Sequence, residues 1–185
     1  MGARMFDAWE NYFLIVGPSA AALIGLMFVV VTLTAGRDRQ QVERGKHLYT
    51  SPIVWHLGVV LVLSGLASAP TVTPRWFGAA SGGLALLGIA MGIRSSVGIA
   101  QVPLSGEENN TFDIWWYGIV PAIAYAGLGA AAGLIFWDSP WGPSAIAAAL
   151  MALLLVSIHG EWDLVTFLAP DAKTDSGGDN GETKR

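Results

Sequence analysis

Five long apolar runs, nearly free of charged residues, make up most of this chain. They cover residues 13–35, 53–69, 76–100, 114–137 and 144–168 and are each 17 to 25 residues long. An α-helix needs about 20 apolar residues to cross the hydrocarbon core of a bilayer. The sequence therefore predicts an all-α, polytopic membrane protein, in which residues 1–170 form a bundle of five transmembrane helices.

The composition supports this interpretation. The chain is 53% hydrophobic and only 13% charged, whereas a soluble domain carries about 25% charged residues. The charges are concentrated in two connecting segments, 36–50 and 102–113, and in residues 171–185. That last segment is polar and rich in glycine, with too little apolar surface to fold, so it is predicted to be a disordered tail.

The distribution of basic residues predicts the orientation. Seven Lys and Arg residues lie in the first connection and the tail, against two, Arg4 and Arg75, on the other side. Basic residues favour the cytoplasmic side, so the N-terminus is expected outside and the C-terminus in the cytoplasm. Trp76, Trp137 and Trp141 then belong to an outer aromatic belt, and Trp55, Trp115 and Trp162 to an inner one.

The start of the chain does not resemble a cleavable signal peptide, because its apolar run is too long. From Phe13 to Val31 the first helix resembles that of a group of small bacterial integral membrane proteins. Those proteins carry a run like G-x-x-A-A-L-x-G-L-x-F-V, and Pro18 after Gly17 departs from that pattern. The resemblance implies a multi-pass protein of the bacterial inner membrane, and it implies no catalytic residue.

Several function classes lack support in the sequence. The chain has no cysteine, which excludes disulfides and thiolate metal sites, and its net charge of −4 gives nucleic acid no basic surface. It contains no HExxH, GxSxG or P-loop pattern. No cofactor is firmly implied.

Ionisable residues interrupt the last apolar run, where His159, Glu161 and Asp163 lie close together. Such groups are costly inside a membrane helix and by default indicate a site. His159 and Asp163 share a helical face with Trp162 and Thr166. Because that face carries small residues, we expect it to point into the bundle, and we expect Glu161 to point outward to the head groups.

Arg94 and His56 are expected at a depth similar to that of His159 and Asp163, and Tyr125 is a secondary candidate on the small-residue face of the fourth run. Arg94 is a candidate counter-charge for Asp163, although a long side chain can also reach the membrane surface. His56 fits either the polar cluster or an interfacial position at a helix start. A metal site of His56, His159 and Asp163 is one further hypothesis.

Three functions follow as alternatives. The first is a non-enzymatic accessory or regulatory module in the bilayer that self-associates, as a homo-oligomer, or binds a larger membrane partner. The second is an oligomeric channel or carrier for a small solute or proton. The third is a membrane-embedded, metal-dependent enzyme.

Overall fold

The computed structural model describes residues 5–34, 51–100 and 115–168. The two predicted polar connections and the predicted disordered tail lie outside these ranges. Within them all regular structure is helical, so the all-α prediction is confirmed for this part of the chain. The elements are a 3₁₀ turn at Asp7–Trp9, α1 (Glu10–Thr34), α2 (Ser51–Ser68), α3 (Pro74–Ala100), a π-helical turn at Trp115–Ile119, α4 (Val120–Phe136) and α5 (Gly142–Leu168).

Three of these helices are long and apolar enough to cross a membrane. The qualifying stretches are Asp7–Leu33, Pro74–Arg94 and Gly142–Thr166. The shorter apolar helices, Pro52–Ser68 and Val120–Phe136, fall below the same length criterion. The described part of the chain therefore has membrane-like helices, as the apolar runs predict.

Small residues bring α3 and α4 close together. A Cβ added at Gly78 would lie 3.0 Å from the carbonyl oxygen of Ala132, and one added at Gly92 would lie 3.5 Å from that of Gly118. Backbones can approach this closely only where no side chain intervenes, which is how small residues act in membrane helix pairs. Gly78 and Gly92 therefore belong to a packing surface of α3, which we call the glycine seam.

The helix α5 lies between the others and packs mainly on α4, with further contacts to α2 and α1. Near its start, the Tyr12 hydroxyl of α1 donates a hydrogen bond of 2.6 Å to the carbonyl of Ala147. Near its end, a Cβ added at Gly160 would lie 3.0 Å from the Ile53 side chain of α2. The element that carries most of the candidate site is thus held along its length.

The prediction of which face of α5 points into the bundle is wrong. Residues of the face expected to meet lipid, most of them bulky, are buried instead: Ile146, Leu150, Leu153, Ser157, Glu161 and Leu164. On the face expected to point inward, Ala148 and Leu155 are exposed. A helix surrounded by three neighbours has a wide interior to fill, and large side chains fill it to high density. The small-residue rule applies to a closely packed pair such as α3 and α4.

The turn between α4 and α5 is tight and closely bonded. The amide of Ser139 donates to the carbonyl of Leu134 and that of Asp138 to the carbonyl of Ile135, at 2.9 and 3.0 Å. This is the bonding of a Schellman C-cap, which requires a left-handed residue after the helix. Asp138 is that residue, with φ of 53°.

Exposed tryptophans mark the two ends of the bundle. Trp76, Trp137 and Trp141 define one end, and Trp115 and Trp162 define the other. From Trp141 to Trp162 the rise of an α-helix covers about 31 Å, close to the ~30 Å of a bilayer core. Trp55, expected in the second belt, instead turns its indole nitrogen into the protein.

Candidate functional site

A buried histidine–tyrosine pair joins α2 to α4. Nδ1 of His56 and the hydroxyl of Tyr125 share a hydrogen bond of 2.8 Å. The two side chains are 7% and 0% exposed. His56 is therefore an interior residue of the bundle and not an exposed side chain at a helix start. Polar groups buried in this way are stabilised by their bond to each other, because each would be costly to bury alone.

The position of the Tyr125 ring depends on Gly88, its neighbour on the adjacent helix α3. A Cβ added at Gly88 of α3 would overlap the atoms Cγ, Cδ1 and Cε1 of the Tyr125 ring. Because glycine has no side chain, the ring fits between α3 and α4. Its hydroxyl can then reach across to α2 and His56.

The indole nitrogen of Trp55 lies next to His56 in the sequence and is also buried. It has no partner of hydrogen-bonding geometry among the described residues. Its N–H nevertheless interacts with the hydroxyl of Tyr125. Trp55 therefore belongs to the same polar group as His56 and Tyr125.

Glu161 is the least expected member of the site. Its side chain is 8% exposed, and its Oε1 is buried with no hydrogen-bond partner in the described part of the chain. Ser157, one turn earlier on the same buried face, does not satisfy it, because its hydroxyl donates to the carbonyl of Leu153 at 2.8 Å. A carboxyl group therefore lies inside the bundle near the Trp162 end.

His159 and Asp163 do come together, as the i, i+4 spacing predicts. Nε2 of His159 lies 3.4 Å from Oδ2 of Asp163, and the two side chains are 35% and 32% exposed. That distance allows electrostatic attraction but is long for a hydrogen bond. The His159 ring also stacks on Trp116, with 4.1 Å between ring centroids and 29° between planes. The stacking of His159 on Trp116 thus connects α5 to the π-helical turn before α4.

The remaining predicted site residues do not converge on this pair. Arg94 is exposed and forms no ion pair with Asp163 in the described part of the chain. Trp162 is 68% exposed. Thr166 is exposed, and its hydroxyl donates to the backbone carbonyl of Asp163 at 2.9 Å. The predicted cluster therefore separates into an interior set, His56, Tyr125 and Glu161, and a partly exposed set, His159 and Asp163.

The metal hypothesis finds no support in this geometry. Among the described residues, no three His, Asp or Glu side chains are placed to hold a metal ion together. His56 is bonded to Tyr125, whereas His159 and Asp163 pair with each other on a different helix. The three proposed ligands do not assemble into one site.

Two contacts of the site were not foreseen from sequence. The stacking of Trp116 on His159 depends on how α4 and α5 align, which no local pattern encodes. The bond between His56 and Tyr125 also needs the depth of two separate helices. A usable signal existed for the second contact, because Gly88 and Tyr125 both lie on faces rich in small residues.

A recess of about 320 Å³ lies at the Trp141 end, away from these residues. Its walls come from Met5–Glu10 and from the turn between α2 and α3, residues 66–74. None of the polar side chains of the candidate site lines it.

The fold and site together define an all-helical protein with membrane-like helices and an interior polar site. No protein-family model, curated protein or solved structure matches the chain. The resemblance of the first helix therefore stays a prediction.

Proposed function

We propose that the chain is a multi-pass protein of the bacterial inner membrane and that all five helices span it. The 18 residues of α2 give a rise of about 27 Å. With the π-helical turn before it, α4 runs continuously from residue 115 to residue 136. Large apolar side chains are exposed on every helix, including Val62 of α2 and Ile123 of α4. Exposing such an apolar surface to water is unfavourable, whereas contact with lipid is favourable.

The proposed orientation places the Trp162 end in the cytoplasm, on the basis of the Lys and Arg distribution. A reporter enzyme fused after Arg185 should then show cytoplasmic activity. Periplasmic activity from the same fusion would reverse the orientation and leave the five-span proposal standing.

Within the membrane, the proposed role is that of a non-enzymatic accessory or regulatory module that self-associates. The observation that carries this is the uncovered face of α1. At Gly17 that face packs on α2, where an added Cβ would lie 3.0 Å from Ser64. Further along, Ala21, Gly25 and Thr32 are exposed on the same face, and no atom lies within 4 Å of a Cβ added at Gly25.

An open stripe of small residues is the surface on which another membrane helix packs closely. Of the three long helices, α1 is also the one least covered by the chain itself, at 22% buried against 50% for α5. A second copy presenting the same stripe would pair the two α1 helices about a two-fold axis, the commonest symmetry of homo-oligomers.

Disulfide cross-linking tests this, because the chain has no cysteine of its own. Ala21→Cys in α1 should cross-link between copies in the native membrane, and adding Gly25→Leu should greatly reduce the yield. Gly127→Leu is the matched control, since Gly127 is also exposed with no atom within 4 Å of an added Cβ. Equal cross-linking with either leucine would argue against the α1 interface.

A carrier for a small solute or proton is the second candidate, and the interior polar set favours it. His56, Tyr125 and Glu161 lie within the bundle, where ionisable groups commonly mark transport paths. Toward the Trp141 end, the buried polar side chains of the described residues are hydroxyls such as that of Ser81, which donates to its own helix at Phe77. Solute flux into proteoliposomes, compared with empty vesicles, would distinguish a carrier from an accessory module.

A further inference from the structure

We propose that Glu161 is a proton-binding site of the bundle, which takes up and releases a proton at the Trp162 end. The neutral carboxyl is the form that fits the closed packing of α2 against α5. The ionised form favours a state in which the ends of these helices separate. The proposal does not depend on self-association, on the carrier hypothesis or on the orientation of the chain.

The first argument is the burial of the carboxyl by the protein itself. Only 8% of the Glu161 side chain is exposed, and no described residue donates a hydrogen bond to its buried Oε1. Burying a charged carboxylate without compensating bonds is far more costly than burying the neutral acid. The geometry around Glu161 therefore suits a carboxyl that carries a proton.

The second argument is that, among the residues whose side chains the structure describes, no cation faces Glu161 from the elements packed on α5. On α2 the titratable residue is His56, and on α4 it is Tyr125, and these two bond to each other. Residues 24–33 of α1 include no titratable side chain. On α5 itself, His159 contacts Trp116 and Asp163.

Among the described residues, one cation lies at this end of the bundle. Arg94 of α3 is exposed, and the described structure gives it no ion pair with a carboxylate. The carboxyl therefore has no described counter-ion, and a proton is the ligand that neutralises it.

The third argument is access. Trp162, the next residue, is 68% exposed and belongs to the tryptophans that mark this end. Glu161 therefore lies near the level of the interface, within reach of water when the helix ends part. Its other neighbour, Gly160, packs directly on Ile53 of α2. A change of charge at Glu161 would act on that contact, since an ionised carboxylate gains by reaching water.

Labelling with dicyclohexylcarbodiimide tests the proposal on the unaltered, detergent-solubilised full chain. The reagent reacts with protonated carboxyls in apolar surroundings. The acid O–H adds across one C=N bond, and the acyl group then moves from oxygen to nitrogen to give a stable acylurea with no atom lost. Mass spectrometry of peptides should find the label at Glu161 well above its level at Asp163 or Glu10.

The labelling of Glu161 should also fall as the pH is raised, because the carboxylate does not react in this way. Absence of label at Glu161 at mildly acidic pH, or equal labelling of the exposed Glu10, would overturn the proposal. Since this measurement uses the wild-type chain, it decides the question even if a variant at position 161 does not fold.

A second measurement follows thermal unfolding with pH. Wild-type protein should lose stability relative to Glu161→Gln as the pH rises, because the amide cannot ionise in the closed bundle. Glu10→Gln, the same change at an exposed glutamate of α1, is the matched control and should follow the wild type. Parallel pH dependence of wild type and Glu161→Gln would contradict the assignment and leave the proposed membrane function untouched.

Discussion

The ring of Tyr125 occupies the space that a side chain at Gly88 would need. Gly88 lies buried in α3, and an added Cβ would overlap three atoms of the ring. This fit places the Tyr125 hydroxyl 2.8 Å from His56. A single missing side chain on one helix thus allows a hydrogen bond between two others.

Gly88→Ala should destabilise the protein, although alanine favours helices over glycine. Inserting one methyl group into a closely packed interior costs about 1–3 kcal/mol, which outweighs the gain in helix propensity of about 1 kcal/mol. Gly83→Ala, at an exposed position of the same helix with no atom within 4 Å, should be neutral or slightly stabilising. Thermal unfolding in detergent measures both, and a stabilising Gly88→Ala would refute the fit described here.

Tyr125→Phe should destabilise by about 1–3 kcal/mol, because it leaves a buried nitrogen of His56 without its partner. His56→Leu should also destabilise, since it removes the hydrogen bond of the buried tyrosine hydroxyl to His56. The double variant should cost less than the sum, with a coupling of about 0.5–3 kcal/mol in a double-mutant cycle. Strictly additive effects would show that the two groups do not stabilise each other.

Asp138→Gly should stabilise the turn between α4 and α5. A left-handed conformation costs most residues about 1–2 kcal/mol, less for aspartate, and glycine adopts it freely. We expect a gain of up to about 1 kcal/mol, whereas Asp138→Val should lose at least that much. Unfolding midpoints of the two variants should therefore move in opposite directions, and a shared direction would argue against strain at this residue.

Asp163→Asn should have a small effect on stability, below about 1 kcal/mol, because the pair it forms with His159 is partly exposed. An amide can also still bond to the imidazole. Where the imidazole is protonated, part of the wild-type advantage should disappear at high salt, as expected for a screened ion pair. A loss above about 2 kcal/mol would show that Asp163 has a larger structural role than its exposure suggests.

The helices and their approximate ends could be predicted from sequence, because apolar runs bounded by polar or proline-containing segments act locally. The contact of His159 with Asp163 could be predicted for the same reason, since both lie on one helix at a fixed spacing. The glycine seam of α3 was also readable, because close approach of two backbones demands small residues whatever the partner.

The direction of Glu161 could not be predicted in this way. Small residues favour contact with a single close neighbour, whereas α5 contacts three helices and uses its larger side chains to fill the space between them. Whether small or large side chains face the interior depends on how many helices surround the element. The sequence of a single helix does not contain that number. The partners of His56 and Trp116 were inaccessible for a related reason, since both contacts need the relative depth of separate helices.

The packing of the helices has a consequence for how the chain is made. Consecutive helices α1 and α2 pack closely, as do α3 and α4, but α2 and α3 contact each other less. Two hairpins can therefore form in order as the chain leaves the ribosome. The following helix, α5, contacts both of them, through Tyr12 and Ile53 on one side and Trp116 on the other. Before α5 is made, the two hairpins are joined mainly through the contacts of α2 with α3, so α5 completes the link between them.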